Sequence, residues 1–146
     1  MSSDLSLREA GLQDLEVVYA LVCQLEEKQF PFVKFQSLFA ANCGDENVRY
    51  YVAKSGGRVV AFGSVHISRL LHHCGEVAEI QELFVLPEAR GKGIGTALVE
   101  AMAGWAKERD AVQLEVASNW RREETHEFYE SIGFEFTHKK FVRPMR

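Results

Sequence analysis

In the first forty residues, apolar side chains recur three or four positions apart. From Gly11 onwards this spacing predicts an amphipathic helix, whose apolar face comprises Leu12, Leu15, Val18, Tyr19, Val22 and Leu25. Pro31 interrupts the pattern, and a second short helix is expected after it, with one face formed by Phe35, Leu38 and Phe39. A short strand, residues 5–8, is expected before the first helix.

The middle of the chain changes to strand-like patterns. Residues 48–54 and 58–68 are rich in β-branched and aromatic residues, and Ser55-Gly56-Gly57 between them predicts a hairpin turn. Residues 76–86 predict a third, central strand. It should end at Pro87, because proline cannot donate a hydrogen bond to a strand ladder.

The last third alternates helix and strand. The stretch from Gly93 to Arg109 predicts a helix, and its inward-facing residues are Ile94, Leu98, Met102, Trp105 and Ala106. A strand over 112–117, a helix over 122–132 that ends at Gly133, and a last strand over 134–142 should follow. We therefore expect a single domain, residues 1–146, with an α/β or mixed α+β fold around a central sheet.

Composition narrows the class of protein. The 146 residues are 47% hydrophobic and 26% charged, as in an ordinary globular chain. The formal net charge of −4 argues against a nucleic-acid partner, which usually requires a basic excess. The three cysteines form no CxxC pair, so we expect reduced thiols in a cytoplasmic protein. No apolar run approaches the roughly 20 residues that span a bilayer, and no signal peptide is evident, so no membrane partner is expected.

The most specific local feature is the segment that joins the central strand to the following helix, Arg90-Gly91-Lys92-Gly93-Ile94-Gly95-Thr96. Glycines at such a junction let backbone N–H groups surround an anion, and the helix N-terminus adds partial positive charge. Arg90 and Lys92 add full charges. The segment lacks both the Gly-Lys-Ser/Thr ending of a P-loop and the GxGxxG spacing of a dinucleotide site. The pattern predicts a phosphate cradle of another kind.

Two stretches together resemble a known superfamily. Arg90-x-x-Gly93-x-Gly95 after a strand resembles the pyrophosphate-binding signature of the GCN5-related N-acetyltransferases (GNAT). The segment from Ser118 to Phe134, with its helical Tyr129 before Gly133-Phe134, is similar to that superfamily's second signature. Where many members carry an asparagine, seven residues before the tyrosine, this chain has Arg122, and Asn119 lies close by.

The resemblance implies a GNAT fold, a central mixed twisted sheet with helices on both faces. It implies acetyl-CoA as cosubstrate, with the pantetheine arm paired to the central strand at Leu83, Phe84 and Val85. The pyrophosphate would contact the segment from Arg90 to Thr96, and Asn119 and His126 would be further cofactor contacts. For catalysis it implies Glu79 as base or substrate contact, Glu82 as the alternative base, and Tyr129 as the general acid. Glu79 and Glu82 point to opposite faces of a regular strand, unless a β-bulge intervenes.

A narrower similarity, to bacterial aminoalkylphosphonate N-acetyltransferases, rests on 19–25, 47–51, His72-His73 and 79–83. It implies the primary amine of a small aminoalkylphosphonate as acceptor, and a divalent metal for which His72 and His73 are candidate ligands. Acetylation of an aminoglycoside, a polyamine or another small amine is the alternative, and a non-catalytic acyl-CoA-binding module is a third. A homodimer that pairs the last strand, 134–142, across a two-fold axis is also expected.

Overall fold

A computed structural model describes residues 4–117 and 123–145. The chain begins with strand β1, Ser6–Glu9, followed by a 3-10 turn, Leu12–Asp14, and helix α1, Leu15–Glu26. Helix α1 ends because Glu27 adopts the left-handed conformation, with φ of 52°. Helix α2, Phe32–Cys43, starts after Pro31, whose extended backbone is typical of a residue that precedes a helix.

A charged pair joins β1 to the start of the first helix. The Arg8 guanidinium donates two hydrogen bonds to the Asp14 carboxylate, at 2.8 and 2.9 Å, and the Gly11 N–H donates a third at 2.9 Å. Asp14 is buried. The hydrogen bonds from Arg8, more than any other contact, hold the pKa of this carboxyl below its usual range.

Three long strands form the centre of the sheet. They are β2, Val48–Ser55, β3, Arg58–Leu70, and β4, Gly75–Val85, and a short fifth strand, β5, covers Gln113–Val116. The strand order is β1-β2-β3-β4-β5. Neighbouring strands are antiparallel except β4 and β5, which are parallel. The sheet is therefore mixed, as expected.

Helices cover both faces of this sheet. On one face, α1 and α2 contribute Val18, Leu21 and Phe39 to a core with Tyr50 and Phe62. On the other face lies helix α3, Ile94–Glu108, whose five predicted inward residues are all buried. Helix α4, Glu123–Ser131, follows, and its Phe128 packs against the core that lies between α3 and the sheet. These two layers confirm the predicted fold class.

Two parts of the predicted pattern are wrong. Leu12 and Leu38, expected on apolar helix faces, are 62% and 55% exposed. Leu12 belongs to the 3-10 turn, and α2 presents Phe39 rather than Leu38 to the sheet, because adjacent helix positions point about 100° apart. Residues 134–145 form no strand, although 134–142 was expected to. An apolar alternating segment becomes a strand only when it finds a ladder partner, and here it does not.

The boundaries of the single domain stay a prediction. Among the described residues, no helix is both long enough and apolar enough to cross a membrane.

Candidate active site

Strands β4 and β5 separate part of the way along β4. Their register runs from Val77 opposite Gln113 to Ile80 opposite Val116 and ends there. Strand β4 continues to Val85. No described strand therefore pairs with the β5-facing edge of residues 81–85. Apart from the Val85 carbonyl, which accepts a hydrogen bond from Arg90, the backbone groups on this edge can pair with another molecule. The predicted cofactor residues Leu83, Phe84 and Val85 lie on this open edge.

The glycine-rich segment follows immediately after the open edge. Gly91 and Gly93 adopt left-handed backbone conformations, with φ of 78° and 81°, and an added Cβ at either would meet no atom within 4 Å. Gly93 is the residue that precedes α3. The first backbone N–H groups of a helix have no acceptor within that helix, so those of α3 point at this segment. The segment can hold an anion such as a pyrophosphate.

The side chains of this segment divide between solvent and core. Lys92 is exposed, whereas Ile94 is only 3% exposed and packs in the core under α3. Of Ile94, only the backbone can therefore contact a cofactor. Arg90 braces the end of β4, because its Nε donates to the Val85 carbonyl at 2.9 Å and its guanidinium lies 5.4 Å from the centre of the Phe84 ring.

Helix α4 packs against the start of α3. A Cβ built on Gly95 would lie 3.4 Å from Phe128 Cζ and 3.8 Å from Val85 Cγ2, which is ordinary van der Waals contact. Tyr129 comes next on α4. It is 9% exposed, and its ring meets those of Phe128 and Phe134 edge to face. Tyr129 therefore follows directly after the residue of α4 that meets Gly95 at the start of α3.

A β-bulge in β4 brings the two predicted glutamates onto one face of the sheet. Ser64 lies opposite Glu82, but the next residue, Val65, lies opposite Ile80, so Gln81 has no partner. His66 lies opposite Glu79. Since residues 64 and 66 share a face of β3, Glu79 and Glu82 share that face too, the one covered by α1 and α2. The regular alternation that would separate them does not apply.

Glu82 lies among polar side chains that the sequence did not indicate. Ser64 is fully buried, its hydroxyl donates to Glu82 Oε1, and the Glu82 N–H donates to Ser64 Oγ at 2.9 Å. On β2, Tyr50 accepts a hydrogen bond from Asn42 Nδ2 at 2.7 Å. Burial is the main reason that the pKa of Tyr50 rises to about 12, and the nearby charge of Glu82 adds to it. The sequence pointed toward this arrangement only if a β-bulge was allowed in the strand, and the position of a bulge cannot be read from composition.

The two candidate metal ligands lie in the turn between β3 and β4. The His72 and His73 rings are tilted by 51° with their centres 4.4 Å apart, and His73 Nε2 lies 3.9 Å from Glu115 Oε2 on β5. Over 4–117 and 123–145, no three histidine, cysteine or acidic side chains come together as a metal site. The described residues therefore do not fit the ligand set that His72 and His73 were expected to begin.

Two further cofactor candidates have different outcomes. His126 on α4 is half-buried, and its ring lies 6.1 Å from that of Phe136 in a stacked arrangement. Asn119 lies outside the described residues, as does Arg122.

An open strand edge leads into a glycine-rich helix start, an arrangement that can accept an elongated, phosphorylated molecule. Residues 16–134 match the acetyltransferase (GNAT) family. The chain is 37% identical, over 139 residues, to the aminoalkylphosphonate N-acetyltransferase of Salmonella typhimurium, an alignment that covers 95% of this chain and 90% of that protein.

Solved structures agree on the architecture. A transcriptional regulator from Bacillus halodurans C-125 superposes with a TM-score of 0.89 at 26% identity, covering 97% of this chain and 99% of that one. The aminoglycoside N-acetyltransferase AAC(6')-Iy in complex with CoA has a TM-score of 0.89 at 19% identity, with 100% and 97% covered. The second likeness concerns the fold alone. The chain belongs to the GNAT family and is an N-acetyltransferase.

Proposed function

We propose that the protein transfers the acetyl group of acetyl-CoA to the primary amine of a small aminoalkylphosphonate. The observation that carries the acetyl-CoA part is the open edge of β4, residues 81–85, which leads directly into the glycine-rich segment. The acceptor class rests on the similarity to the Salmonella typhimurium enzyme along nearly the whole chain.

The proposed binding mode follows the order of residues along β4. The pyrophosphate lies against the backbone at Gly91 and Gly93, with Lys92 and Thr96 near it, and the pantetheine arm pairs with the edge at Leu83 and Val85. The arm then points its thioester toward Glu82. This residue directly precedes Leu83 in β4, and its side chain lies on the sheet face that carries both glutamates. Glu79 lies farther along, where β4 is still paired with β5.

In the proposed reaction, the Glu82 carboxylate accepts a proton from the ammonium group of the substrate. The neutral amine attacks the thioester carbonyl carbon and forms the new C–N bond. The C–S bond of the tetrahedral intermediate then breaks, and the departing thiolate takes the proton of the Tyr129 hydroxyl. The former amine nitrogen gives up its second proton, which restores the Tyr129 hydroxyl through solvent, and Glu82 releases its proton to solvent. Glu79, on the same face, is proposed as a substrate contact. The products are CoA and an N-acetylated phosphonate.

The acceptor is tested with a panel of amines assayed by release of free thiol from acetyl-CoA. Aminomethylphosphonate and aminoethylphosphonate should show saturable turnover, at least about tenfold higher in kcat/KM than polyamines or an aminoglycoside. The matched control is ethylamine, which keeps the amine but lacks the phosphonate. Equal kcat/KM for ethylamine and aminoethylphosphonate would rule out the phosphonate as a recognised group.

The metal requirement is a separate hypothesis, and no step above depends on it. It is supported by the resemblance and not by a ligand cluster in the described residues. Dialysis against a chelator, followed by assay with and without added Mn²⁺ or Mg²⁺, decides it. Loss of turnover that the metal restores would support a bound divalent ion, and unchanged turnover would refute it.

We also propose a homodimer in which the C-terminal segment, residues 134–145, covers a groove on a second copy. In this segment Phe136, Phe141, Val142 and Met145 are between 67% and 93% exposed. The groove, of about 340 Å³, runs along the outer edge of β5 and the end of α3 and includes Ala103, Ala106, Val112 and Leu114. An exposed apolar segment and an open sheet edge are each unfavourable when left uncovered.

Sedimentation analysis of the full chain and of a chain ending at Phe134 tests this arrangement. A dimer that becomes a monomer on truncation is expected. A monomer at all concentrations, or a dimer that survives truncation, would contradict it.

A further inference from the structure

Three polar side chains form a row across the centre of the sheet. Tyr50 on β2 lies opposite Ser64 on β3, which lies opposite Glu82 on β4. Residues directly opposite each other on adjacent strands point to the same face and have Cβ atoms about 5 Å apart. The row therefore places Ser64 between the buried Tyr50 and the proposed base.

Ser64 directs its hydrogen-bonding groups at one residue. Its hydroxyl donates to Oε1 of the Glu82 carboxylate, and its oxygen accepts the backbone N–H of the same residue at 2.9 Å. A serine hydroxyl has one proton to donate, and that proton is engaged here. Among residues 4–117 and 123–145, the hydrogen bond to this carboxylate reaches Oε1, which leaves Oε2 for a substrate ammonium group.

The double contact lies at the β-bulge. Gln81 is the inserted residue, and the N–H of Glu82, which follows it, donates to the Ser64 side chain. Ser64 thus holds both the backbone N–H and the carboxylate of the same residue. Ser64 has no exposed surface, so it does not contact the substrate itself.

We propose that Ser64 is a positioning residue that holds the Glu82 carboxylate in the orientation required to accept the amine proton. This inference rests on the proposed role of Glu82 as base. It assigns to Ser64 a part in turnover and none in cofactor binding, since the glycine-rich segment lies at the other end of the open edge.

The test is a double-mutant cycle with Ser64→Ala, Glu82→Gln and the double variant, assayed with aminoethylphosphonate. Ser64→Ala should lower kcat about tenfold, with KM for acetyl-CoA within twofold of the native value. Glu82→Gln should lower kcat about a hundredfold. The kcat of the double variant should then lie within twofold of the kcat of Glu82→Gln, because Ser64 acts only through that carboxylate.

Ser68→Ala is the matched control. Ser68 lies on the same strand and the same face, four residues away, but it is exposed. Its kcat should stay within twofold of the native value. Circular dichroism and CoA titration of each variant correct the rates for folded, cofactor-competent protein, so that a general loss of stability does not mimic the effect.

The outcomes separate the two claims. If Glu82→Gln leaves kcat unchanged, Glu82 is not the base, and the role of Ser64 falls with it. If Glu82→Gln is slow but Ser64→Ala is as fast as Ser68→Ala, the positioning role alone is refuted. If Ser64→Ala slows the Glu82→Gln variant by the same factor as the native enzyme, Ser64 acts independently of the carboxylate and the proposal is also overturned.

Discussion

Replacement of Gly93 by alanine tests the cofactor segment in a way that the structure makes quantitative. Gly93 has φ of 81°, and a Cβ there would meet no atom within 4 Å. The substitution therefore adds no steric clash with neighbours, only the cost of holding an L-residue in the left-handed region, about 1–2 kcal/mol. Gly95→Ala is the matched control, because Gly95 lies within α3 and its added Cβ would make ordinary contact with Phe128.

The cost of Gly93→Ala must appear in one of two measurements. If the unliganded loop keeps its conformation, the free energy of unfolding falls by about 1–2 kcal/mol. If the loop relaxes without cofactor, binding must restore the strained form, and Kd for CoA rises about 5- to 30-fold. Chemical denaturation of the unliganded protein and calorimetric titration with CoA measure both quantities.

The sum of the two losses is the number to compare between variants. For Gly93→Ala it should be about 1–2 kcal/mol. For Gly95→Ala it should be near zero, or stabilising by up to about 1 kcal/mol, because alanine favours the helix over glycine. Sums that agree within about 0.3 kcal/mol for the two variants would refute the assignment of Gly93 to a required left-handed conformation.

Three further predictions concern the general acid and two buried ionisable groups. Tyr129→Phe should lower kcat about a hundredfold while Kd for CoA changes less than about threefold, as measured by steady-state assay and calorimetry. Asp14→Asn should lower the free energy of unfolding by about 2 kcal/mol at pH 7. Because the pKa of Asp14 is lowered in the folded state, this difference from the native protein should shrink as pH falls below about 4. Between pH 10 and about 12, the free energy of unfolding of the native protein should fall by up to about 2 kcal/mol relative to that of Tyr50→Phe. The reason is that the folded state keeps the Tyr50 proton, which the unfolded state loses. If the free energy of unfolding of Asp14→Asn or Tyr50→Phe depends on pH in the same way as that of the native protein does, the shifted pKa assigned to that residue is wrong.

Much of the fold follows from local patterns. The inward face of α3, from Ile94 to Ala106, repeats at helical spacing and is buried as a unit. Helix α2 shows the limit of this reasoning. Phe35, Leu38 and Phe39 all lie within about one turn, and spacing alone does not decide which residue meets the sheet. The crossing of α2 over β2 decides it, in favour of Phe39 and against Leu38.

The C-terminal segment shows a different limit. Residues 134–142 have the composition of a strand, yet strand formation depends on a partner elsewhere in the chain or on another chain. Nothing local in the sequence states whether that partner is present. The same segment therefore reads as a strand in the sequence and has no regular secondary structure in the fold.

One part of the candidate site could be predicted from the sequence, and another part could not. The glycine-rich segment is contiguous, so sequence spacing was sufficient to indicate it. The carboxylate arrangement is not contiguous, because it depends on the register shift that pairs Ser64 with Glu82 and Val65 with Ile80. That shift is a property of two strands together. A regular alternation would have separated Glu79 from Glu82, and it gives no reason to look at Ser64.

The central claim is that the open edge of β4 holds acetyl-CoA so that an amine reaches the thioester beside Glu82. A crystal structure with CoA and aminoethylphosphonate bound tests it most directly. The account predicts pantetheine hydrogen bonds to the backbone of Leu83 or Val85, and the amine nitrogen about 2.7–3.2 Å from Glu82 Oε2. An amine nitrogen bound at Glu79 and out of reach of Glu82, or a pantetheine arm away from residues 81–85, would contradict it.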